Sequence, residues 1–251
     1  MGTVFLLLKP LAAQTSTTSI EGMPVLVTAA HVLDEMSGDN MEIVMRKHHE
    51  VTWIPVSARL AIRRNGQPLW KTVPDADVAV MYVQYPPELP IDGMMPTTLL
   101  SDDERLRTAG AGPGIDLKVL GYPLGIQTNG AFPILRTGMI ASYPLLPTAT
   151  TKTFLLDFRV FKGNSGGPVY YSPRVMHGGA EVCCPPKFIM GLVSQEASLT
   201  EAYSQLQLSL GIIVHGTLIN AAIATLPAPE TPEARAAQIP IVLTQLTPAA
   251  N

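Results

Sequence analysis

Cysteine is almost missing from this chain. Only Cys183 and Cys184 occur, and they are adjacent. Neighbouring cysteines can close only a strained vicinal ring, which excludes an ordinary disulfide between them and leaves the fold to stand on its core. Charge is also sparse: 15% of residues are charged and the formal net charge is −3, with no Lys/Arg-rich patch. That argues against a general electrostatic grip on nucleic acid or anionic membrane. Long apolar runs are lacking as well. The run nearest the start, Val4 to Leu8, is stopped by Lys9 and Pro10. A membrane span needs roughly 20 apolar residues, and a signal peptide an apolar centre of ~7–15 behind a basic segment. Val4 to Leu8 therefore reads as a first β-strand. Neither the cysteines nor the composition decides the compartment.

What is present is a globular composition, 47% hydrophobic over 251 residues, broken into short apolar runs. Val25 to Thr28, Glu42 to Met45, Val78 to Val83, Leu117 to Leu120, Phe154 to Leu156 and Phe188 to Val193 have strand length and strand composition. Between them lie turn-forming stretches such as Gly38-Asp39-Asn40, Arg64-Asn65-Gly66 and Thr128-Asn129-Gly130. Many short strands with frequent turns predict an all-β sandwich or barrel. Thr217 to Leu226 has helical spacing, and Ser101 to Arg107 reads as a linker between two halves. From Pro227 onward the chain is rich in Pro and Ala and reads as a tail or surface-wrapping arm, with Ile239 to Leu243 able to pack back.

Three segments carry chemistry. Gly163-Asn164-Ser165-Gly166-Gly167-Pro168 places a hydroxyl in a turn whose glycines let backbone N–H groups converge on one point. A serine becomes a nucleophile only when a base takes its proton and the oxyanion is held. The plain alternative is a Gly-rich turn with an incidental serine. Thr28-Ala29-Ala30-His31 offers the base at the end of an apolar strand, against the alternative of a structural histidine. His48 and His49 lie in a charged stretch, His177 in a loop beside two glycines, and His215 in an apolar passage. Asp77, at the mouth of the apolar run Val78 to Met81, offers a half-buried carboxylate in need of a partner. Asp75, next to Pro74, reads as a turn residue.

Together, and in this order, these segments resemble the chymotrypsin (trypsin-like) serine peptidases, and most closely the bacterial HtrA-like branch. Val119-Leu120-Gly121-Tyr122-Pro123-Leu124-Gly125 and Thr137-Gly138-Met139-Ile140 add to the likeness, which runs from about Gly2 to Leu226. The resemblance implies two packed six-stranded Greek-key β-barrels with a short C-terminal helix. Residues 1–102 would form the barrel carrying His31 and Asp77, residues 103–226 the barrel carrying Ser165, and residues 227–251 the tail. It implies Ser165 as nucleophile, His31 as general base, Asp77 as its orienting acid, and an oxyanion hole from the N–H groups of Gly163 and Ser165. No cofactor or metal is required. The partner is a polypeptide substrate bound as an extended strand along Ser194, Gln195 and Glu196, with Gly211 on a pocket wall.

Arg159 falls where that family places the floor of the primary specificity pocket. A guanidinium there would favour acidic side chains; turned outward, it would leave Val160 and Phe161 to line a pocket for small or medium aliphatic residues. Two departures bear on the likeness. Asn164 stands where animal digestive members carry an aspartate that captures a new N-terminus, so activation by that route is not expected. The PDZ domain that usually follows the protease in the HtrA-like branch has no counterpart in this sequence. Export is the expected localisation.

Three other readings compete. Gly163-x-Ser165-x-Gly167 also fits the nucleophile elbow of α/β-hydrolases, but the helix-period segments of that fold are missing. A protease-like binding module without catalysis is the principal alternative. A metal site from Cys183, Cys184 and His177 fits no zinc spacing.

Overall fold

A computed structural model describes residues 1–11, 21–89, 94–177, 180–183, 188–201 and 204–246. The first half contains β1 (Phe5–Pro10), β2 (Gly22–Thr28), α1 (Ala30–Asp34), β3 (Asn40–His49), β4 (Thr52–Ala61), the two-residue strands β5 (Arg63–Arg64) and β6 (Gln67–Pro68), β7 (Ala79–Gln84) and β8 (Met95–Pro96). The second contains α2 (Asp103–Thr108), β9 (Asp116–Gly121), β10 (Ile134–Ile140), β11 (Thr153–Asp157), β12 (Pro168–Tyr171), the β13 (Arg174–His177) and β14 (Ala180–Cys183) hairpin, β15 (Phe188–Glu201), β16 (Ser204–His215) and α3 (Gly216–Ala224). The chain ends with α4 (Pro232–Ala236) and β17 (Ile239–Leu246).

The second half closes into a six-stranded barrel in the order β10-β11-β16-β15-β12-β9. Its interior is filled by Leu117, Val119, Phe154, Leu156, Val169, Met190 and Ile213, the inward members of alternating strands. The first half departs from the expected six-stranded barrel. It is an open, curled sheet of seven strands, ordered β3-β4-β17-β7-β2-β1-β8. Strand β9 closes the second barrel by pairing with both β10 and β12. No described strand bridges the edge strands β3 and β8 in that way. Phe5, Leu6, Met41, Met45 and Trp53 instead line an apolar cavity of about 1000 Å³.

The Pro/Ala-rich stretch read as a tail or arm returns to the body. Strand β17 pairs antiparallel with β4 and parallel with β7, burying Ile239 and Ile241. The segment read as a linker is the short helix α2, whose N–H at Arg105 is capped by the Asp102 carboxylate at 2.7 Å. Helix α3 lies where the helical spacing predicts it. It contributes Ile219, Ala222 and Ile223 to a core shared with Leu7, Val25 and Val27 of the first sheet and Leu192 and Val214 of the barrel. That shared core fixes the two halves against each other. Among the described residues, no helix is long and apolar enough to cross a membrane.

Candidate active site

His31 is the second residue of α1, three residues after β2 ends, beside the buried Ala29 and Ala30. These small side chains let the helix turn close against the sheet. Asp77, just before β7, holds the histidine twice. The His31 backbone N–H donates to Oδ1 at 2.9 Å, and His31 Nδ1 lies 2.7 Å from Oδ2. The second bond makes Nδ1 the donor and leaves the Nε2 lone pair available as a base. The hydrogen bond to Asp77 raises the His31 pKa above its ordinary 6.5, with burial opposing. Burial alone would raise the Asp77 carboxyl, but the bonds from His31 and Ser194 hold it below its ordinary 3.8. Of the two candidate acids, Asp77 is the one brought to His31. Asp75 is exposed and pairs with Lys152 at 3.0 Å.

The Ser165 turn is tied on every side. Gly163 and Gly166 adopt φ of +99° and +83°, a region in which a side chain is strained. The Lys162 carbonyl accepts from the Leu124 N–H at 2.6 Å, and the Asn164 carbonyl from the Gly167 N–H at 2.9 Å. In a trans peptide the N–H points opposite to its carbonyl. Both anchors therefore turn the N–H groups of Gly163 and Ser165 away from the body of the loop. Among the described groups, neither donates a hydrogen bond. Asn164 is buried, and its Oδ1 accepts from the Phe161 N–H at 2.9 Å, an internal brace for the turn.

This turn packs on the His31 segment. A Cβ on Gly166 would overlap Thr28 Oγ and the Thr3 carbonyl, and would lie 3.0 Å from the Ala29 nitrogen. A Cβ on Gly2 would lie 2.6 Å from the Val32 methyls and 3.2 Å from the Ser165 carbonyl. The residue after His31 and the backbone of Ser165 are thus the two neighbours of one glycine. From the other side, Gly166 donates to the Val193 carbonyl at 2.7 Å, and Val193 returns a bond to Gly167 at 2.9 Å. The next residue, Ser194, is buried and donates its hydroxyl to Asp77 Oδ2. The Ser194 side chain supports the acid, while its backbone begins the Ser194 to Glu196 run that the resemblance places along the substrate.

Beyond Val193, β15 is paired on one side only among the described strands, by β16, and no described strand lies along the other edge of Ser194 to Glu196. Gln195 is exposed there, and Glu196, paired with Gly211, is half-buried with Oε1 shielded and unpartnered among the described atoms. A Cβ on Gly211 would sit 3.0 Å from Val160 and 3.3 Å from Phe158. Arg159 is exposed, its guanidinium 5.2 Å from the Phe161 ring, and its carbonyl accepts from Arg136 at 2.7 Å.

Thr3, Tyr122 and Leu124 escaped the reading of the sequence as site residues. Nothing local in Gly2-Thr3-Val4 announces their contact with the serine turn. Of the remaining histidines, His48 stacks edge-on to Trp53 and His215 is fully buried against Phe154. The side chains of His177, Cys183 and Cys184 lie outside the described residues. Among the described residues no group of three potential metal ligands assembles. Compared with known protein families and with curated proteins, the chain matches none.

Proposed function

We propose that the protein is a serine endopeptidase that cleaves extended polypeptides through an acyl-enzyme, with Ser165, His31 and Asp77 as its triad. The observation that carries this reading is the doubly bonded His31–Asp77 pair on a segment whose Thr28 and Ala29 pack against the glycine turn of Ser165, where the Gly163 and Ser165 N–H groups donate to nothing among the described groups. No described hydrogen bond joins His31 to Ser165; in this reading that bond forms as Ser165 reacts. His31 Nε2 takes the Ser165 proton as Oγ bonds to the peptide carbonyl carbon. The oxyanion is held by the N–H groups of Gly163 and Ser165. His31 then gives the proton to the leaving amine as the C–N bond breaks, and water attacks the ester by the same route in reverse. Asp77 stabilises the imidazolium at both stages, and the Ser194 hydroxyl keeps the carboxylate charged and in place.

The free edge at Ser194 to Glu196 supports substrate pairing as an added strand. The exposed Arg159, its guanidinium 5.2 Å from the Phe161 ring, supports a specificity for small or medium aliphatic side chains over acidic ones. Labelling with a fluorophosphonate probe tests the reading. Mass mapping is expected to find the adduct on Ser165, and Ser165→Ala to lose both adduct and peptide hydrolysis, by on the order of 10⁶-fold. A folded wild-type protein that neither labels nor cleaves would leave the silent binding module in its place.

A further inference from the structure

We infer that Thr3, near the start of the chain, is a positioning residue for the oxyanion hole. The inference rests on the serine peptidase reading. Thr3 is buried, 3% exposed, and lies where the first sheet, the barrel and the serine turn meet. Four hydrogen bonds converge on it. Its N–H donates to the Ser165 carbonyl at 2.8 Å, and its hydroxyl donates to the Gly163 carbonyl at 2.6 Å. The same hydroxyl accepts from the Tyr122 N–H at 3.3 Å, and the Thr3 carbonyl accepts from the Thr28 hydroxyl at 2.7 Å.

The freedom of Gly163 explains why such a strut is needed. Without a Cβ and at φ +99°, its flanking peptides can rotate at little steric cost. Rotation of the Lys162–Gly163 peptide would point a carbonyl at the substrate oxyanion in place of an N–H. The Leu124 N–H on the Lys162 carbonyl opposes this directly, since that carbonyl and the Gly163 N–H share one peptide plane. The Thr3 hydroxyl holds the next peptide, on the Gly163 carbonyl, and so pins the far side of Gly163, while its bond from the Tyr122 N–H, two residues before Leu124, ties the anchoring turn to the same point. A single hydroxyl thus connects the serine turn to the turn that anchors it, while Thr28, three residues before His31, fixes the Thr3 backbone. Thr3 touches no reacting atom and acts through the orientation of the Gly163 N–H.

Thr3→Val keeps the shape and removes the hydroxyl, and Thr3→Ser keeps the hydroxyl. Turnover is measured per active site, counted by fluorophosphonate burst titration, on a peptide substrate. Removing an oxyanion donor outright costs roughly 10²–10³-fold. Thr3→Val is therefore expected to lose about 10–100-fold in kcat with KM within about twofold, and Thr3→Ser to return within about threefold of wild type. A merely structural role would lower the count of active sites and the Tm while leaving turnover per site unchanged. Should Thr3→Val not fold, Thr3→Ala removes the same hydroxyl without the branched side chain. Wild-type turnover per site in the folded hydroxyl-less variant, or Thr3→Ser as slow as Thr3→Val, overturns the inference. An inactive, unlabelled wild type instead overturns the peptidase reading itself.

Discussion

Replacing Asp77 by asparagine removes the charge at the centre of the site while nearly preserving its shape. The carboxylate accepts three hydrogen bonds: from the His31 N–H on Oδ1, and from His31 Nδ1 and the Ser194 hydroxyl on Oδ2. An amide has one acceptor oxygen. With that oxygen facing the backbone N–H, its NH₂ group faces His31 Nδ1, which must then present a lone pair and leave the proton on Nε2. That tautomer cannot accept the Ser165 proton. Two charge-assisted bonds at about 1.5–3 kcal/mol each amount to ~3–6 kcal/mol, or roughly 10²–10⁴-fold in kcat/KM at about 1.4 kcal/mol per decade. The assay is peptide or ester hydrolysis across pH. Because only neutral His31 acts as base, wild-type activity climbs with pH through a pKa above 6.5, raised by the Asp77 bond. In Asp77→Asn that cause is gone and burial, which lowers the pKa, remains, so residual activity rises through a lower pKa. Asp75→Asn, altering only the exposed pair with Lys152, should leave the profile within about twofold. Asp77→Asn retaining more than about a tenth of wild-type activity, with its pH limb unmoved, would refute the reasoning.

Gly166→Ala should destabilise the fold by about 2–4 kcal/mol and abolish activity. The new methyl meets Thr28 Oγ and the Thr3 carbonyl at a positive φ; urea denaturation measures the loss. His215, fully buried with neither ring nitrogen bonded among the described groups, has its pKa lowered by burial to about 4. Between pH 6.5 and 4 the unfolded chain binds a proton that the folded one refuses. Stability should therefore fall by ~3 kcal/mol over that window, and His215→Leu should remove this slope in a pH series of denaturation curves. Arg159→Ala should leave the preference for the residue before the cleaved bond unchanged in a peptide-library digest. Strong cleavage after acidic residues, lost in that variant, would show the guanidinium in the pocket.

Much of the site was readable in the linear chain because its parts are local. The glycines around Ser165 permit the turn, the small residues before His31 permit a helix against a strand end, and a carboxylate opening the apolar run 78–83 must find a partner. Each signal spans a few residues, and each segment stands in the structure as a turn or strand end. The strands of the second half were legible for the same reason, as short apolar runs between turn stretches, whereas their closure into one barrel was implied only by the resemblance and decided by the pairing of β9 with both β10 and β12. Partner choice is not local. Ile239 to Leu246 alternates like any edge-seeking strand, and only the surface between β4 and β7 decided that it enters the first sheet. The charged stretch after Ser101 reads as solvated whether it is coil or helix, and the Asp102 cap with the Thr148 contacts of Asp103 settled it as α2. Ser194 faces Asp77 rather than solvent because the bond between Gly167 and Val193 sets the register of β15 against the serine turn. Thr3 is the extreme case. Its partners lie 25 to 162 positions away, and a hydroxyl's hydrogen bonds leave no periodicity in the sequence, so the assembled halves alone give it a role.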